Sequence, residues 1–184
     1  DLAARAADPG KLLLRMRRRS GGLAGFRFFH DHEPRVLEEV LQDRRWAKVL
    51  LSRDPAESYV SLRIARATDQ WRLTRPDGRR RVRVTFDEAE FDALMATRAQ
   101  FRARIDRALQ LSGQAAFRLD YRDLVDRNVI AGLARFLGCP DGPDWSRVAL
   151  LRQNPEPLQE KVSNPEVLAA ARRRATEFDL ARTA

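Results

Sequence analysis

The sequence predicts an α/β protein, with a parallel sheet flanked by helices and a largely helical second half. Two short apolar runs of strand character, residues 47–52 and 116–120, are each followed by a turn and then by a helical pattern. Strands that alternate with helices are typical of parallel sheets, because a parallel connection needs a crossover segment. A helix-start signal, the Asp54-Pro55 pair that follows the first run, supports the same pattern.

The expected helices cover residues 9–19, 34–42, 55–70, 87–111, 126–137, 144–151 and 165–178, and the expected strands cover 24–29, 47–52 and 116–120. The acidic run 87–90 is suited to start the longest helix, and Gly113 is suited to end it. Apolar and aromatic residues recur at helical spacing within that helix, so we expect them to belong to the core. Asn164 is expected to cap the last helix, ahead of Pro165.

Arg53 and Ser61 form a candidate anion-binding pair. Arg53 comes directly after the strand 47–52, and the run 54–57 supplies an N-cap, a proline at the first helical position and a capping-box glutamate. Open parallel sheets bind ligands at the carboxyl ends of their strands. The planar guanidinium of Arg53 can hold phosphate oxygens there in a bidentate manner. Ser61 lies about two turns into the helix, so it would meet the anion from the helix flank.

Length and composition predict one soluble domain over residues 1–184. A chain of this size with 43% hydrophobic residues can bury a core, and its apolar runs are too short to span a membrane. The single cysteine, Cys139, excludes an internal disulfide and fits a reducing cytoplasm. It follows a Phe-Leu-Gly sequence at a helix end, where we expect it to act as a small apolar side chain.

The net charge of +9 and the pI near 10.9 raise the alternative of a nucleic-acid or polyanion-binding module. Arginine carries nearly all of the positive charge, and it forms dense clusters only at residues 15–19 and 79–83. No zinc-ligand spacing, helix-turn-helix pattern or aromatic RNA-binding strand accompanies these clusters. A basic surface that attracts an anionic cofactor or an acidic acceptor is therefore favoured, and no nucleic-acid partner is expected.

The two histidines, His30 and His32, lie together at the predicted exit of the strand 24–29. A metal site is disfavoured and no metal is expected, because no third histidine or cysteine ligand accompanies them. Two interpretations remain, a structural loop pair and a general base. An imidazole has a pKa that suits a base near neutral pH, and the neighbouring carboxylates of Asp31 and Glu33 are alternatives for that role.

The segment KVLLSRDPAESYVSLRIARATDQWRLT, residues 48–74, resembles the 3′-phosphate-binding element of sulfotransferases that use 3′-phosphoadenosine 5′-phosphosulfate. That element has an arginine at a strand end, a following helix and a serine eight residues on, which is the spacing of Arg53 and Ser61. Three more segments are similar to the family in its order: GFRFFHDHEP (25–34), FRLDYRDLVDRNVIAGLARFLGC (117–139) and QNPEPLQEKVSNPEVL (153–168). The last of these is similar to bacterial nodulation-type members.

The resemblance implies a P-loop-NTPase-like sulfotransferase fold and transfer of a sulfuryl group to a hydroxyl acceptor, such as a carbohydrate or a small molecule. It implies that Arg53 and Ser61 bind the 3′-phosphate of the co-substrate, 3′-phosphoadenosine 5′-phosphosulfate. His32 occupies the place of the family's general base. Glu33 and Asp31 remain alternatives, because some bacterial members use a carboxylate, and His30 could also fill the role.

Three further residues have two interpretations each. Lys48 could stabilise charge on the transferring group, although a solvated strand edge is favoured for it. Tyr59 and Trp71 could stack on the adenine ring, although helix packing is favoured for both.

Sulfotransferases also carry a loop near the N-terminus that grips the 5′-phosphosulfate. The basic run at residues 17–22 lacks the preceding strand and the following helix that this loop requires. We therefore expect a chain that is truncated before that loop and that stops, at its other end, where family members continue. Residues 1–184 alone are expected to be inactive, because positioning of the transferring group supplies much of the catalysis.

Functions from other classes remain as alternatives. A polyanion-binding module would show a steep salt dependence and no preference for adenosine 3′,5′-bisphosphate. A non-catalytic sulfotransferase-like fold would bind that nucleotide without transferring a sulfuryl group. A kinase-like nucleotide enzyme would need a glycine-rich loop with a lysine, and the sequence has no such motif.

Overall fold

The computed structural model describes residues 7–20, 22–71, 78, 80–139, 142 and 155–183, with side chains described as far as residue 174. Its helices are Pro9–Arg19 (α1), Pro34–Gln42 (α2), Pro55–Thr68 (α3), Glu88–Ser112 (α4), Arg127–Phe136 (α5) and Pro165–Thr183 (α6). Its strands are Lys48–Ser52 (β1) and Ala116–Asp120 (β2), and short 3₁₀ helices cover Tyr121–Val125 and Leu158–Lys161. No helix within the described ranges has the length and apolar character needed to cross a membrane.

β1 and β2 pair in a small two-stranded parallel sheet. The segment between them contains α3 and α4, as a parallel connection requires. A separate parallel bridge joins Val84 to Val162, with the Val84 N–H donating to the Lys161 carbonyl at 2.9 Å. The structure is consistent with the predicted α/β class and is mostly helical, whereas the P-loop-NTPase-like topology stays a prediction.

The chain forms two compact units, each built from two stretches of sequence. The first unit comprises Asp1–Val49 and Thr97–Phe117, and the second comprises Leu50–Ala96 and Arg118–Ala184. The histidine loop belongs to the first unit, and Arg53 and Ser61 belong to the second. A single domain over residues 1–184 stays a prediction.

The core of the second unit forms around α3. Asp54 caps this helix by accepting a hydrogen bond from the Glu57 N–H at 2.9 Å, and Pro55 begins it. The buried face of α3 packs into a cluster that includes the rings of Phe86 and Phe91. The buried α3 residues are Ala56, Tyr59, Val60 and Ile64. Burial of this face holds the opposite flank, which carries Ser61, at a defined position.

In the first unit, short helices and a long helix bury aliphatic side chains. These residues are Leu13, Leu37, Leu41, Ile105 and Leu109. Gly113 follows α4 with a φ of 61°, in the left-handed region that a glycine adopts without strain. This confirms the predicted end of the long helix.

The predicted strand at residues 24–29 is wrong, because the structure has no strand or helix there. A strand needs a partner for its backbone, whereas this segment is held by its aromatic side chains. The Phe26 ring lies 5.5 Å from the Trp46 ring, and the Phe28 ring stacks at 6.4 Å on Phe101. The predicted helix at 144–151 lies outside the described residues.

The predicted capping role of the Asn164 side chain is also wrong. Its Oδ1 accepts from the Phe86 N–H at 2.8 Å, and its Nδ2 donates to the Phe86 carbonyl at 2.9 Å. The amide group therefore satisfies both backbone groups of a buried residue, in the way that a neighbouring strand would. Helix α6 still begins at Pro165, as expected.

Tyr59 is fully buried, and its hydroxyl donates to Glu90 Oε2 at 2.9 Å. Burial, and then the bond to Glu90, raise the pKa of Tyr59 to about 12. The unfolded phenol ionises near pH 10, so raising the pH from 10 to 12 favours unfolding. We expect the free energy of unfolding to fall over this range by on the order of 2 kcal/mol from Tyr59.

Urea titrations at a series of pH values check this expectation. Tyr59→Phe should lose the alkaline decline, while Tyr121→Phe, which removes the other tyrosine of the chain, should keep it. An equal decline in the wild type and in Tyr59→Phe would contradict the assignment.

Candidate functional site

The candidate site of the second unit lies where β1 ends and α3 begins. Arg53 follows the last residue of β1, Ser52, whose hydroxyl donates to the Leu119 carbonyl of β2 at 3.3 Å. The carboxyl ends of two parallel strands are therefore adjacent beside Arg53. This is the edge at which open α/β sheets bind ligands.

Arg53 and Ser61 are in direct contact. The Nη2 of Arg53 donates to Ser61 Oγ at 3.2 Å, across the eight residues that separate them. The same Nη2 lies 3.6 Å from Glu57 Oε2, and about a quarter of the Arg53 side chain is exposed. The predicted pair therefore shares one partly exposed flank of α3.

Arg53 also has a buried hydrogen-bond donor that is unused among the described residues. Its Nε is buried and has no hydrogen-bond partner among the described residues. An unsatisfied buried donor is costly, and a charged one more so, which makes it a candidate position for an oxygen of a bound anion. Arg53 Nε and Nη2 together with Ser61 Oγ can offer several hydrogen bonds to one phosphate group.

Tyr121 is a further member of this site and is not among the residues predicted from the sequence. The Arg53 Cζ lies 4.5 Å from the centre of the Tyr121 ring, a cation–π distance. The ring holds one face of the guanidinium and so limits its orientation. The position of Tyr121 directly after β2, at the same sheet edge as Arg53, is the signal that could have identified it.

The candidate base residues lie in the first unit, in a tight turn ahead of α2. The His32 N–H donates to the Phe29 carbonyl at 3.1 Å, and the Phe29 N–H donates to His32 Nδ1 at 3.3 Å. The imidazole also makes edge contacts with the rings of Phe28 and Phe29, each at 5.2 Å. His30, Asp31 and His32 are all exposed.

The Phe29 bond determines the tautomer of a neutral His32. A backbone N–H can donate only to an unprotonated ring nitrogen, so the ring proton lies on Nε2 in this arrangement. A base that accepts a proton at Nε2 must first move its own proton to Nδ1, which releases the Phe29 bond. This bond is long, so the switch costs about 1 kcal/mol or less.

The Glu33 carboxylate is already hydrogen-bonded to Arg35. It caps α2 by accepting from the Arg35 N–H at 3.1 Å, and it accepts from the Arg35 Nε at 2.8 Å. The side-chain hydrogen bond from Arg35 is the main cause that lowers the pKa of Glu33 to about 2. A carboxylate with so low a pKa is a weak base, so His32 is the better candidate of the two.

The prediction of a solvated strand edge for Lys48 is wrong. Lys48 is 6% exposed, and its Nζ donates to the Asp43 carbonyl at 2.9 Å and to Gln114 Oε1 at 2.6 Å. Burial lowers the pKa of Lys48. The residue is a buried structural cation that ties the start of β1 to the loop ahead of it and to the segment before β2.

The two candidates for adenine stacking differ in exposure. Tyr59 is enclosed by Phe86 and Phe91, at ring distances of 5.0 and 5.5 Å, so it offers no free face. Trp71 is 60% exposed, and its indole N–H donates to Asp69 at 3.2 Å. The prediction that Tyr59 packs within the helical core is therefore confirmed, and the same prediction for Trp71 is wrong. Adenine stacking on Trp71 stays a prediction.

A metal site receives no support from the geometry. In the part of the chain that the structure describes, no group of three or more His, Cys, Asp or Glu side chains is arranged to hold a metal ion. Cys139 is half-buried after α5, and its thiol lies 3.9 Å from the Leu137 carbonyl. This position fits the small apolar role that the sequence indicates.

A curated protein that is similar to this chain agrees with the resemblance seen in the sequence motifs. No protein-family model and no solved structure matches the chain. The chain is 28% identical over 133 residues to nodulation protein H of Rhizobium tropici. The matched region covers 71% of this chain and 53% of that protein. The chain spans about half the length of this curated relative. The similarity supports a distant relationship to this nodulation protein.

Proposed function

We propose that this chain belongs to an enzyme that transfers a sulfuryl group from 3′-phosphoadenosine 5′-phosphosulfate to a hydroxyl acceptor. The observation that carries the proposal is the Arg53–Ser61 contact at the end of a parallel strand, with a buried Arg53 Nε left to donate. The similarity to nodulation protein H supports the same class. The acceptor class we propose is a carbohydrate or another small hydroxyl compound.

In this proposal Arg53 and Ser61 hold the 3′-phosphate of the co-substrate. Charge-assisted hydrogen bonds contribute about 1.5 to 3 kcal/mol each, so a bidentate arginine can distinguish a nucleotide that has a 3′-phosphate from one that lacks it. The transfer itself breaks the bond between sulfur and the phosphate oxygen and forms a bond between sulfur and the acceptor oxygen. Alignment of donor and acceptor is then the main task of the protein.

His32 is the proposed base that takes the acceptor proton as the oxygen attacks sulfur. Its ring is exposed, and its Nε2 can accept that proton once the ring proton has moved to Nδ1 and the bond from the Phe29 N–H has been released. Proton acceptance at Nε2 leaves an imidazolium whose Nδ1–H points towards the Phe29 N–H, so the turn must relax slightly. Glu33, Asp31 and His30 are the alternatives.

Nucleotide binding tests the proposal. Adenosine 3′,5′-bisphosphate should raise the melting temperature of the protein, and adenosine 5′-monophosphate should raise it much less, because only the first carries the 3′-phosphate. Equal shifts with the two nucleotides would remove the 3′-phosphate assignment. Binding that is abolished by moderate salt and shows no nucleotide preference would favour a polyanion-binding module.

A further inference from the structure

We propose that Glu57 is a built-in competitor for the anion at Arg53, and that it sets how tightly the site holds a phosphate. The inference rests on the proposed function, because it concerns the same phosphate position. Glu57 Oε2 lies 3.6 Å from Arg53 Nη2, the nitrogen that also donates to Ser61. A carboxylate therefore already lies beside the guanidinium that would bind the anion.

The helix geometry places this carboxylate on the binding flank. Glu57 and Ser61 are four residues apart on α3, so they lie on one face, one turn apart. Arg53 reaches both of them through the same nitrogen. The neighbouring acid, Asp54, has a different role, because it accepts from the Glu57 N–H and pairs with Arg172 at 3.0 Å.

A phosphate held by Arg53 and Ser61 would bring a second negative charge close to Glu57. Like charges at such distances repel, and water screens the repulsion only in part because the Arg53 and Glu57 side chains are 26% and 31% exposed. Binding must either displace Glu57 from the guanidinium or accept this repulsion. Both routes weaken the hold on the phosphate relative to a neutral side chain.

A weaker hold has a direct consequence for turnover. The bisphosphate product of sulfuryl transfer keeps the same 3′-phosphate as the donor, so every contact to that group is present before and after the reaction. Binding energy that is equal in both states raises no rate and slows product release. Glu57 offsets part of that uniform binding and thereby speeds release.

Glu57→Gln tests the inference by removing the charge while keeping the size and the capping-box capacity of the side chain. Calorimetric titration at low ionic strength should show about tenfold tighter binding of adenosine 3′,5′-bisphosphate, and the gain should shrink as salt is added. Inorganic phosphate should also bind more tightly to the variant. Adenosine 5′-monophosphate, which lacks the 3′-phosphate, should bind as it does to the wild type.

Two further variants make the result specific. Glu57→Ala also removes the carboxylate and should tighten bisphosphate binding in the same direction. Glu39→Gln makes the same charge change at an exposed position on α2 and should leave the affinity unchanged. An equal gain from Glu39→Gln would assign the effect to net charge and overturn the proposal.

Unchanged or weaker bisphosphate binding in Glu57→Gln would also overturn it, and weaker binding would identify Glu57 as a residue that orients Arg53. This failure is distinct from that of the proposed function. If the wild type prefers the bisphosphate but the variant gains nothing, only the inference about Glu57 falls. If the wild type shows no preference but the variant binds phosphate more tightly, the sulfotransferase proposal falls and the competitor role stands.

Discussion

Arg53→Ala is expected to weaken the binding of adenosine 3′,5′-bisphosphate by about 100-fold or more, the loss of one to two charge-assisted hydrogen bonds. The variant should bind adenosine 5′-monophosphate nearly as well as the wild type does, so the preference between the two nucleotides should largely disappear. The reason is that Arg53 Nη2 and the buried Nε are the donors that would meet the 3′-phosphate. Isothermal titration calorimetry with both nucleotides measures the effect.

Arg53→Lys separates charge from geometry. A lysine keeps the charge but lacks the planar fork, so we expect an intermediate loss of bisphosphate affinity. Ser61→Ala should cost about 1 to 3 kcal/mol, because it removes a hydrogen-bonding group and also the contact that orients Arg53. Arg104→Ala is the matched control, since Arg104 pairs with Glu38 in the first unit. A bisphosphate preference that survives Arg53→Ala would show that the 3′-phosphate binds elsewhere.

His32→Ala is expected to lower the turnover of an active form of the enzyme by about 10² to 10⁴, the range for loss of a general base. The affinity for adenosine 3′,5′-bisphosphate should stay nearly unchanged, because His32 makes no proposed contact with the nucleotide. Turnover with a hydroxyl acceptor and binding of the bisphosphate should be measured on the same preparation. A catalytic base predicts that only the first of these changes.

The neighbouring residues provide the controls. His30→Ala should keep most of the activity. Glu33→Gln should lower stability through the cap and the Arg35 pair rather than the rate, since the low pKa of Glu33 makes it a weak base. Normal turnover in His32→Ala would show that Glu33, Asp31 or His30 is the general base instead. Loss of the folded state in His32→Ala would indicate that the turn contacts of the ring are structural.

The expected elements around the site could be derived from local chemistry. The strand at 116–120 and the helix at 34–42 have the predicted bounds, and α3 begins at Pro55 as the capping run indicates. Arg53 and Ser61 also meet as their eight-residue spacing suggests, because Arg53 lies just before α3 and Ser61 lies on it. Caps, proline and helical period act within a few residues, so sequence is sufficient for them.

Contacts between distant parts of the chain could not be derived in this way. The segment 24–29 has strand-like composition, but its aromatic rings bind Trp46 and Phe101 instead of pairing with a strand. The burial of Lys48 depends on Gln114, and its hydrogen bond to that side chain spans 66 residues. Local composition carries no information on which distant partner is present, and burial depends on that partner.

The sequence by itself determined the Arg53–Ser61 pair and the start of the helix that carries Ser61, since both depend on residues near in the chain. Only the tertiary structure decided what surrounds them. Pairing of β1 with β2 brings Tyr121 under the guanidinium of Arg53, and among the residues that the structure describes the buried Arg53 Nε has no hydrogen-bond partner. Those features depend on strand pairing and burial, which become defined only when distant segments meet.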